Sequence, residues 1–242
     1  MKKLLILLFL FPSLSAAFMS DDEIAVLQRT AAGWSTGERI AFWAEQFIDM
    51  PYDPDPLGEY VRKNVVVADE RVDCMYHVFR SVELALGKDP VDSMTVALDK
   101  RFHDKGFVED GKVRNYPERI RYGEDMIESG KWGREITSEL GETVMIKGAR
   151  GRERAAMIRK HDIPNMLARL QSGDLVFFIK DPKKRVSGEI VGHIGIIKID
   201  TEKTYLVSAF GRKNRGGKVK KILLSEYSTG MPFVGIRVSR LE

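Results

Sequence analysis

The pattern of apolar residues changes at Gly173, and no other feature constrains the fold as strongly. Before this point, apolar residues recur at helical spacing in residues 35–50 and 73–87. After it, short apolar runs bounded by turn residues predict five strands. These strands cover residues 174–179, 190–199, 204–210, 219–224 and 233–238. Helices followed by strands indicate an α+β fold with a five-stranded antiparallel sheet.

The two helices have clear boundary signals. Ser35 begins a capping-box pattern, and the helix after it must end before Pro51. Asp73 is a good N-cap residue, and Gly87 is a residue that commonly ends a helix. Cys74 is therefore predicted to be the first residue of the second helix.

A highly charged segment, residues 88–165, separates the helices from the strands. Apolar spacing predicts helices at residues 122–132 and 151–160 within it. We interpret the segment as a large helix-and-loop insertion. No Pro/Ser-rich linker or repeat marks a boundary, so residues 18–242 are expected to form a single domain.

The N-terminus has the parts of a secretory signal peptide. Lys2 and Lys3 precede the apolar run of residues 4–11, and small residues end at Ala17, after which we expect cleavage. An eight-residue run reaches only about 12 Å as a helix, which is too short to span a bilayer. Residues 1–17 are thus expected to direct export to the periplasm or beyond, without leaving a stable membrane anchor.

The charge balance is mildly basic. Lysine and arginine number 39 against 35 acidic residues, which gives a formal net charge of +4. Two of the lysines belong to the predicted signal peptide, so the mature chain carries about +2. This small excess does not indicate a nucleic-acid partner, and it suits an anionic substrate such as a cell-wall peptide.

Cys74 is the single cysteine of the chain. Exported proteins normally use cysteine in disulfide pairs, so an isolated thiol is either buried and structural or has a function. At the first turn of a helix, backbone N–H groups and the helix dipole favour a thiolate and can donate to an oxyanion. The position of Cys74 therefore predicts a nucleophile with a lowered pKa.

A nucleophilic thiol requires a base, and the chain offers four histidines: His77, His103, His161 and His193. His103 and His161 lie in the charged insertion and are expected to be solvated. His77 follows Cys74 by one turn of the same helix, which leaves little freedom to orient it. His193 interrupts an apolar strand between glycines, which allow another backbone or a helix end to approach closely. His193 is the predicted base, and Ser208, across the next hairpin, is the predicted third residue.

Several short motifs resemble those of the NlpC-type papain-like peptidoglycan hydrolases. They are Pro51–Tyr52, Asp73–Cys74 at a helix start, residues 173–176 and residues 192–196. The chain is most similar to the exported N-acetylmuramoyl-L-alanine amidase-like branch. The insertion of that branch has a counterpart in Arg119, Arg121, Tyr122, Trp132, Glu135, Ile136 and Thr137. The resemblance covers about residues 40–240.

The resemblance implies a papain-like fold and a thioester mechanism, in which Cys74 attacks an amide of a peptidoglycan stem peptide or muropeptide and His193 transfers the proton. It also implies that Tyr52 lies beside the nucleophile. The side chains expected to bind substrate are Tyr52, Asp73, Arg121 and Tyr122. The chain departs from the family at Met75, where a small hydroxylic residue is usual, and at Ser208, where histidine is frequent.

Several alternatives stay open at this point. The enzyme could cleave the bond between the lactyl group and L-alanine, as an amidase, or the bond between D-glutamate and the diamino acid, as an endopeptidase. A catalytically weakened wall-binding module and an acyltransferase fit the same residues. A metal enzyme does not, because the chain has no His-Glu-x-x-His helix and no second cysteine. We expect neither a metal nor another cofactor.

Overall fold

A computed structural model describes residues 18–186, 188–212 and 215–242. The predicted signal peptide lies outside these residues. The first part of the chain forms five helices, which are α1 (Asp21–Ala31), α2 (Thr36–Gln46), α3 (Glu59–Lys63), α4 (Cys74–Leu86) and α5 (Pro90–Lys100). Within the described part of the chain, no helix has the length and apolar character needed to cross a membrane.

The predicted helix starts are confirmed. Ser35 and Glu38 form a complete capping box at α2, with each side chain bonded to the backbone of the other. The Asp73 carboxylate accepts a hydrogen bond of 2.7 Å from the backbone N–H of Tyr76, which makes Asp73 the N-cap of α4. Cys74 is therefore the first residue of a 13-residue helix.

The insertion contains strands as well as helices, contrary to the prediction. Its elements are α5, β1 (Val108–Glu109), β2 (Lys112–Val113), α6 (Gly123–Ser129), β3 (Arg134–Glu135), α7 (Thr137–Leu140), β4 (Val144–Lys147), β5 (Arg154–Arg159) and α8 (Ile163–Met166). The helix predicted at residues 122–132 is present in shortened form as α6. The helix predicted at residues 151–160 is wrong, because β5 occupies that segment and pairs with strands on both sides.

The five predicted strands are all present. They are β6 (Leu175–Ile179), β7 (Val191–Asp200), β8 (Lys203–Arg212), β9 (Gly216–Leu223) and β10 (Gly235–Arg240), with α9 (Leu224–Gly230) before the last. The α+β class is confirmed. The sheet has eight strands instead of five, in the order β4-β5-β10-β6-β7-β8-β9 with β3 also pairing with β10, because the insertion contributes three. Every pairing in it is antiparallel.

The two faces of the sheet pack against different helices. Ile194 and Ile196 of β7 belong to the hydrophobic core on the side of α2 and α4. Ile197 and Leu206 belong to a second core, which includes residues of α7, α8 and α9. Side chains alternate along a strand, so β7 presents Ile194 towards α4 and His193 towards α9.

The backbone ladder between β7 and β8 is shorter than either strand. It joins residues 196–200 to residues 203–207 and does not extend to residues 191–195. β8, in contrast, stays paired with β9 as far as Arg212. The Ser208 hydroxyl donates a hydrogen bond of 2.6 Å to the Ile194 carbonyl, and so satisfies an acceptor that the ladder leaves free. The sheet therefore opens between β7 and β8 beside His193.

A buried ion network holds the chain that leads into Cys74. The Glu83 carboxylate of α4 is fully buried and accepts two hydrogen bonds of 2.6 Å from Arg101. Arg80 lies 3.3 Å from Glu83 and also pairs with Asp69. Arg101 donates a further hydrogen bond of 2.7 Å to the Val66 carbonyl. The network thus ties residues 66–69 to α4 and α5.

Candidate active site

The Cys74 thiol lies at the opening of the sheet. It is a free, half-buried cysteine, and α4 packs against both β7 and β8. The backbone N–H groups of Ile194, Cys74 and Met75 all favour its thiolate form. Ile194 directly follows His193, so the strand that carries the predicted base also reaches the sulfur with its backbone. α4 and β7 together therefore form the core of the site.

The Cys74 thiol is protonated in the free protein. Burial and, to a smaller extent, the charge of Asp73 together raise the pKa of Cys74 to about 12. The sequence-based expectation of a lowered thiol pKa is wrong, because desolvation and the neighbouring carboxylate outweigh the helix N-terminus. Burial likewise raises the pKa of Asp73 to about 6, with smaller contributions from the charges of Asp53 and Asp55.

His193 is half-buried, and its Nε2 atom lies inside the protein with no hydrogen-bond partner. Burial, with a smaller contribution from the charge of His77, lowers the pKa of His193 to about 4. The imidazole is therefore neutral at physiological pH. The predicted pair consists of a neutral thiol and a neutral base, and a proton must move before or during any attack by the sulfur.

The glycines beside His193 do allow close approach, but the closest groups are side chains and not, as predicted, another backbone or a helix end. A Cβ added to Gly192 would lie 2.6 Å from the Phe233 ring, and one added to Gly195 would lie 2.5 Å from Leu206. Either contact is too short for a real Cβ atom. The glycines thus allow neighbouring side chains to close around the histidine.

Ser208 shares the sheet face of His193, but its hydroxyl has another partner. The residue is fully buried, and its Oγ donates to the Ile194 carbonyl. The predicted register is correct to the extent that the Phe210 ring, two residues later, lies 5.0 Å from the imidazole. No hydrogen bond from Ser208 holds the ring of His193. Ser208 therefore does not hold the His193 ring in the way predicted for the third residue.

Tyr52 lies close to the nucleophile. Its backbone N–H donates a 2.9 Å hydrogen bond to Gly217, and a Cβ added to Gly211 would lie 2.1 Å from its ring. Burial raises the pKa of Tyr52, and the charges of Cys74 and Asp73 raise it further. The structure thus brings Tyr52 and Asp73 together with Cys74.

The other two predicted substrate-binding residues lie in the insertion. Arg121 is exposed and donates a hydrogen bond of 3.1 Å to the Pro117 carbonyl. Tyr122 is half-buried beneath the Arg150 guanidinium, which lies 3.4 Å from its ring centroid. No contact in the described residues joins either side chain to Cys74. The charges of both residues affect the pKa of the neighbouring Arg119.

Arg119 is a site residue that sequence reasoning named only as a family counterpart. It is half-buried and donates a hydrogen bond of 3.0 Å to the Tyr116 carbonyl, and the described residues provide it with no carboxylate partner. Burial lowers the pKa of Arg119, as does the charge of Arg121. The charges of two other residues affect the pKa of the buried Tyr60 phenol: Asp73 raises it and Arg119 lowers it. Within the described residues, neither Arg119 nor Arg121 has a carboxylate partner, and each bonds only to a backbone carbonyl.

The remaining histidines follow the sequence interpretation. His103 and His161 are exposed. His77 is fully buried, and its Nε2 lies 3.1 Å from the Ala44 carbonyl. Burial lowers the pKa of His77 to about 4. His77 is therefore a neutral core residue whose ring contacts the backbone of α2.

We expect the Asp73→Asn variant to react about tenfold faster with iodoacetamide than the unmodified protein at pH 8–9. Asparagine preserves the N-cap but removes a charge that raises the pKa of Cys74, so more thiolate is present. The measurement is the alkylation rate followed by mass spectrometry. Asp89→Asn is the matched control, because Asp89 caps α5 in the same way. Equal rates for all three proteins would contradict the electrostatic role of Asp73.

The fold has solved counterparts, although no family model and no curated protein matches the sequence. An N-acetylmuramoyl-L-alanine amidase from Bacteroides uniformis aligns with a TM-score of 0.66 and 19% identity, over 86% of this chain and 99% of its own. A Legionella pneumophila protein of family DUF1460 aligns with a TM-score of 0.68 and 16% identity, over 90% and 93%. A proposed xylanase from Bacteroides fragilis aligns with a TM-score of 0.63 and 18% identity, over 82% and 98%. The likeness extends over nearly the whole fold of these proteins.

Proposed function

We propose that the protein is a peptidoglycan hydrolase that cleaves an amide of the stem peptide, with the bond between the N-acetylmuramoyl lactyl group and L-alanine as the favoured target. The observation that carries the proposal is the meeting of Cys74, at the start of α4, with the segment of β7 that contains His193 and Ile194. The amidase name of one solved counterpart supports the choice of bond.

In the proposed mechanism, the Cys74 sulfur attacks the amide carbonyl carbon while His193 accepts the thiol proton. The backbone N–H of Cys74, at the start of α4, donates to the tetrahedral oxyanion. His193 then gives its proton to the leaving amine, and a thioester remains on Cys74. A water molecule, activated by the neutral His193, attacks this thioester and releases the carboxylate.

The cations near the site fit a substrate of this class. Stem peptides carry free carboxylates, and in the part of the chain that the structure describes the guanidinium groups of Arg119 and Arg121 have no carboxylate partner. A planar guanidinium binds a carboxylate through two parallel hydrogen bonds. Arg119 and Arg121 are therefore the residues proposed to hold the anionic part of the peptide, with Tyr52 and Tyr122 as its apolar contacts.

The proposal extends to family and location. The sequence motifs support an NlpC-type papain-like cysteine hydrolase, and the sheet with α4 packed across β7 and β8 is compatible with that family. Residues 1–17 have the pattern of a signal peptide, which supports action in the periplasm or outside the cell. Peptidoglycan is present only there, so substrate and location agree.

The proposed function is tested by incubating the purified protein with defined muropeptides and identifying the products by mass spectrometry. An amidase releases the intact stem peptide with a free L-alanine amine, whereas an endopeptidase releases the peptide that begins with the diamino acid and leaves L-alanyl-D-glutamate on the muramoyl group. We expect the first product from the unmodified protein and none from Cys74→Ala. The same yield from both proteins would reject the mechanism, and the second product would reassign the bond.

A further inference from the structure

We propose that an aromatic box, instead of a hydrogen-bonded third residue, orients the His193 imidazole in this protein. We define the box as the rings of Phe178, Phe210, Tyr227 and Phe233. The inference rests on the proposed function in so far as His193 is the base of the reaction. It makes the four aromatic residues positioning residues, which act on the reaction through His193.

The first observation is that, among the described residues, Nε2 of His193 has no hydrogen-bond partner. In cysteine and serine hydrolases, a third side chain usually bonds to the imidazole nitrogen that faces away from the nucleophile. Here the Ser208 hydroxyl donates to the Ile194 carbonyl, and Nε2 of His193 is buried without a partner. A buried nitrogen without a hydrogen bond leaves the ring free to rotate unless packing prevents it.

The second observation is the packing itself. The imidazole centroid lies 5.0 Å from the Phe210 ring, 5.6 Å from Phe178, 6.1 Å from Tyr227 and 6.3 Å from Phe233. The Phe233 ring is nearly parallel to the imidazole, at an interplanar angle of 7°. Four rings at such distances leave few orientations open to the imidazole.

The third observation is that the rings of the box hold one another. Tyr227 packs edge-to-face on Phe178 at 5.1 Å and on Phe210 at 5.3 Å, and Phe178 lies 5.7 Å from Phe233. The four rings come from β6, β8, α9 and the segment before β10. Because rings from four different parts of the chain contact one another, each restricts the movement of the others. The box is therefore a rigid support for the imidazole.

The box also controls the charge of the imidazole. Burial beneath these rings disfavours the imidazolium, and the pKa of His193 is lowered to about 4 by burial and, to a smaller extent, by the charge of His77. The other titratable groups around the box are the Tyr227 phenol, whose pKa is raised by burial and by the charge of Cys74, and the Lys180–Glu189 ion pair beside Gly192. A base kept neutral in this way can accept a proton at any pH above about 4.

The test uses Phe210→Leu and Phe233→Leu, each of which removes one wall while keeping the site apolar. We expect kcat on the muropeptide to fall by roughly ten- to a hundredfold with KM nearly unchanged, because the base is misplaced while substrate contacts remain. Phe42→Leu is the matched control, since Phe42 packs on Trp34 and Trp43 away from the site. It should retain full activity.

A second measurement does not depend on the reaction. The histidine pKa values are followed by NMR in the Cys74→Ala background, with His193 assigned by its loss in His193→Ala. We expect His193 to titrate well below 6 in the intact box, and to move towards the ordinary value of about 6.5 in both leucine variants. An ordinary pKa in the intact box, or unchanged kcat and unchanged pKa in both leucine variants, would overturn the inference. Absence of muropeptide cleavage with the expected titration would reject only the proposed function.

Discussion

His193→Ala is expected to lower kcat/KM on the muropeptide substrate by about a thousandfold at pH 7. With the Cys74 pKa raised to about 12, the thiolate fraction at pH 7 is on the order of one part in 10⁵. The reaction therefore cannot rely on thiolate that is already present. His193 has to remove the thiol proton during the attack, because the raised pKa of Cys74 keeps the thiol protonated. Without the imidazole, this deprotonation has no base.

The pH dependence distinguishes this role from a structural one. In the unmodified protein, activity should rise as His193 loses its proton above about pH 4 and then stay level through neutrality. In His193→Ala the residual rate should instead increase about tenfold per pH unit, because it follows the thiolate population. Steady-state rates from pH 5 to 9 provide the measurement.

His161→Ala is the matched control for this experiment, because His161 is exposed and takes no part in the site. It should reproduce the unmodified pH profile. If His193→Ala retained more than half of the activity with a level profile, another group would have to be the base. The fully buried His77, committed to the Ala44 carbonyl, would then be the next residue to change.

The sequence predicted those parts of the fold that local signals specify. The boundaries of α2 and α4 follow from short-range contacts, such as the capping box at Ser35 and the Asp73 cap, and both are confirmed. The five C-terminal strands follow from apolar runs between turns. β5 was missed because Arg154–Arg159 has good helix formers, while its strand conformation comes from pairing with β10 about 80 residues later.

The candidate site shows the same division between local and long-range causes. The position of Cys74 at a helix start was predictable from Asp73, but the thiol pKa depends on how α4 is buried against the sheet. The Ser208 partner depends on where the β7–β8 ladder stops. No sequence pattern indicated that Tyr227 and Phe233 would contact His193, because only the tertiary fold brings them to it.

Glu83→Gln is expected to destabilise the protein by about 3–5 kcal/mol, the usual cost of removing one partner from a buried ion pair. The carboxylate of Glu83 is fully buried, and Arg101 and Arg80 both depend on it. In the network, two acids balance two arginines. Glutamine preserves the shape but leaves one positive charge uncompensated in a medium that solvates it poorly. The measurement is the free energy of unfolding from urea denaturation.

Two comparisons make the result specific to the buried network. Glu139→Gln removes an exposed carboxylate that pairs with Arg134, and it should cost less than about 1 kcal/mol. The double variant Glu83→Leu/Arg101→Leu removes both charges of one pair, and should recover part of the stability lost in Glu83→Gln. A loss below about 1 kcal/mol for Glu83→Gln would mean that water reaches the network. Arg101 also donates a hydrogen bond to the Val66 carbonyl. Glu83→Gln should therefore also make the segment that leads into Cys74 less ordered.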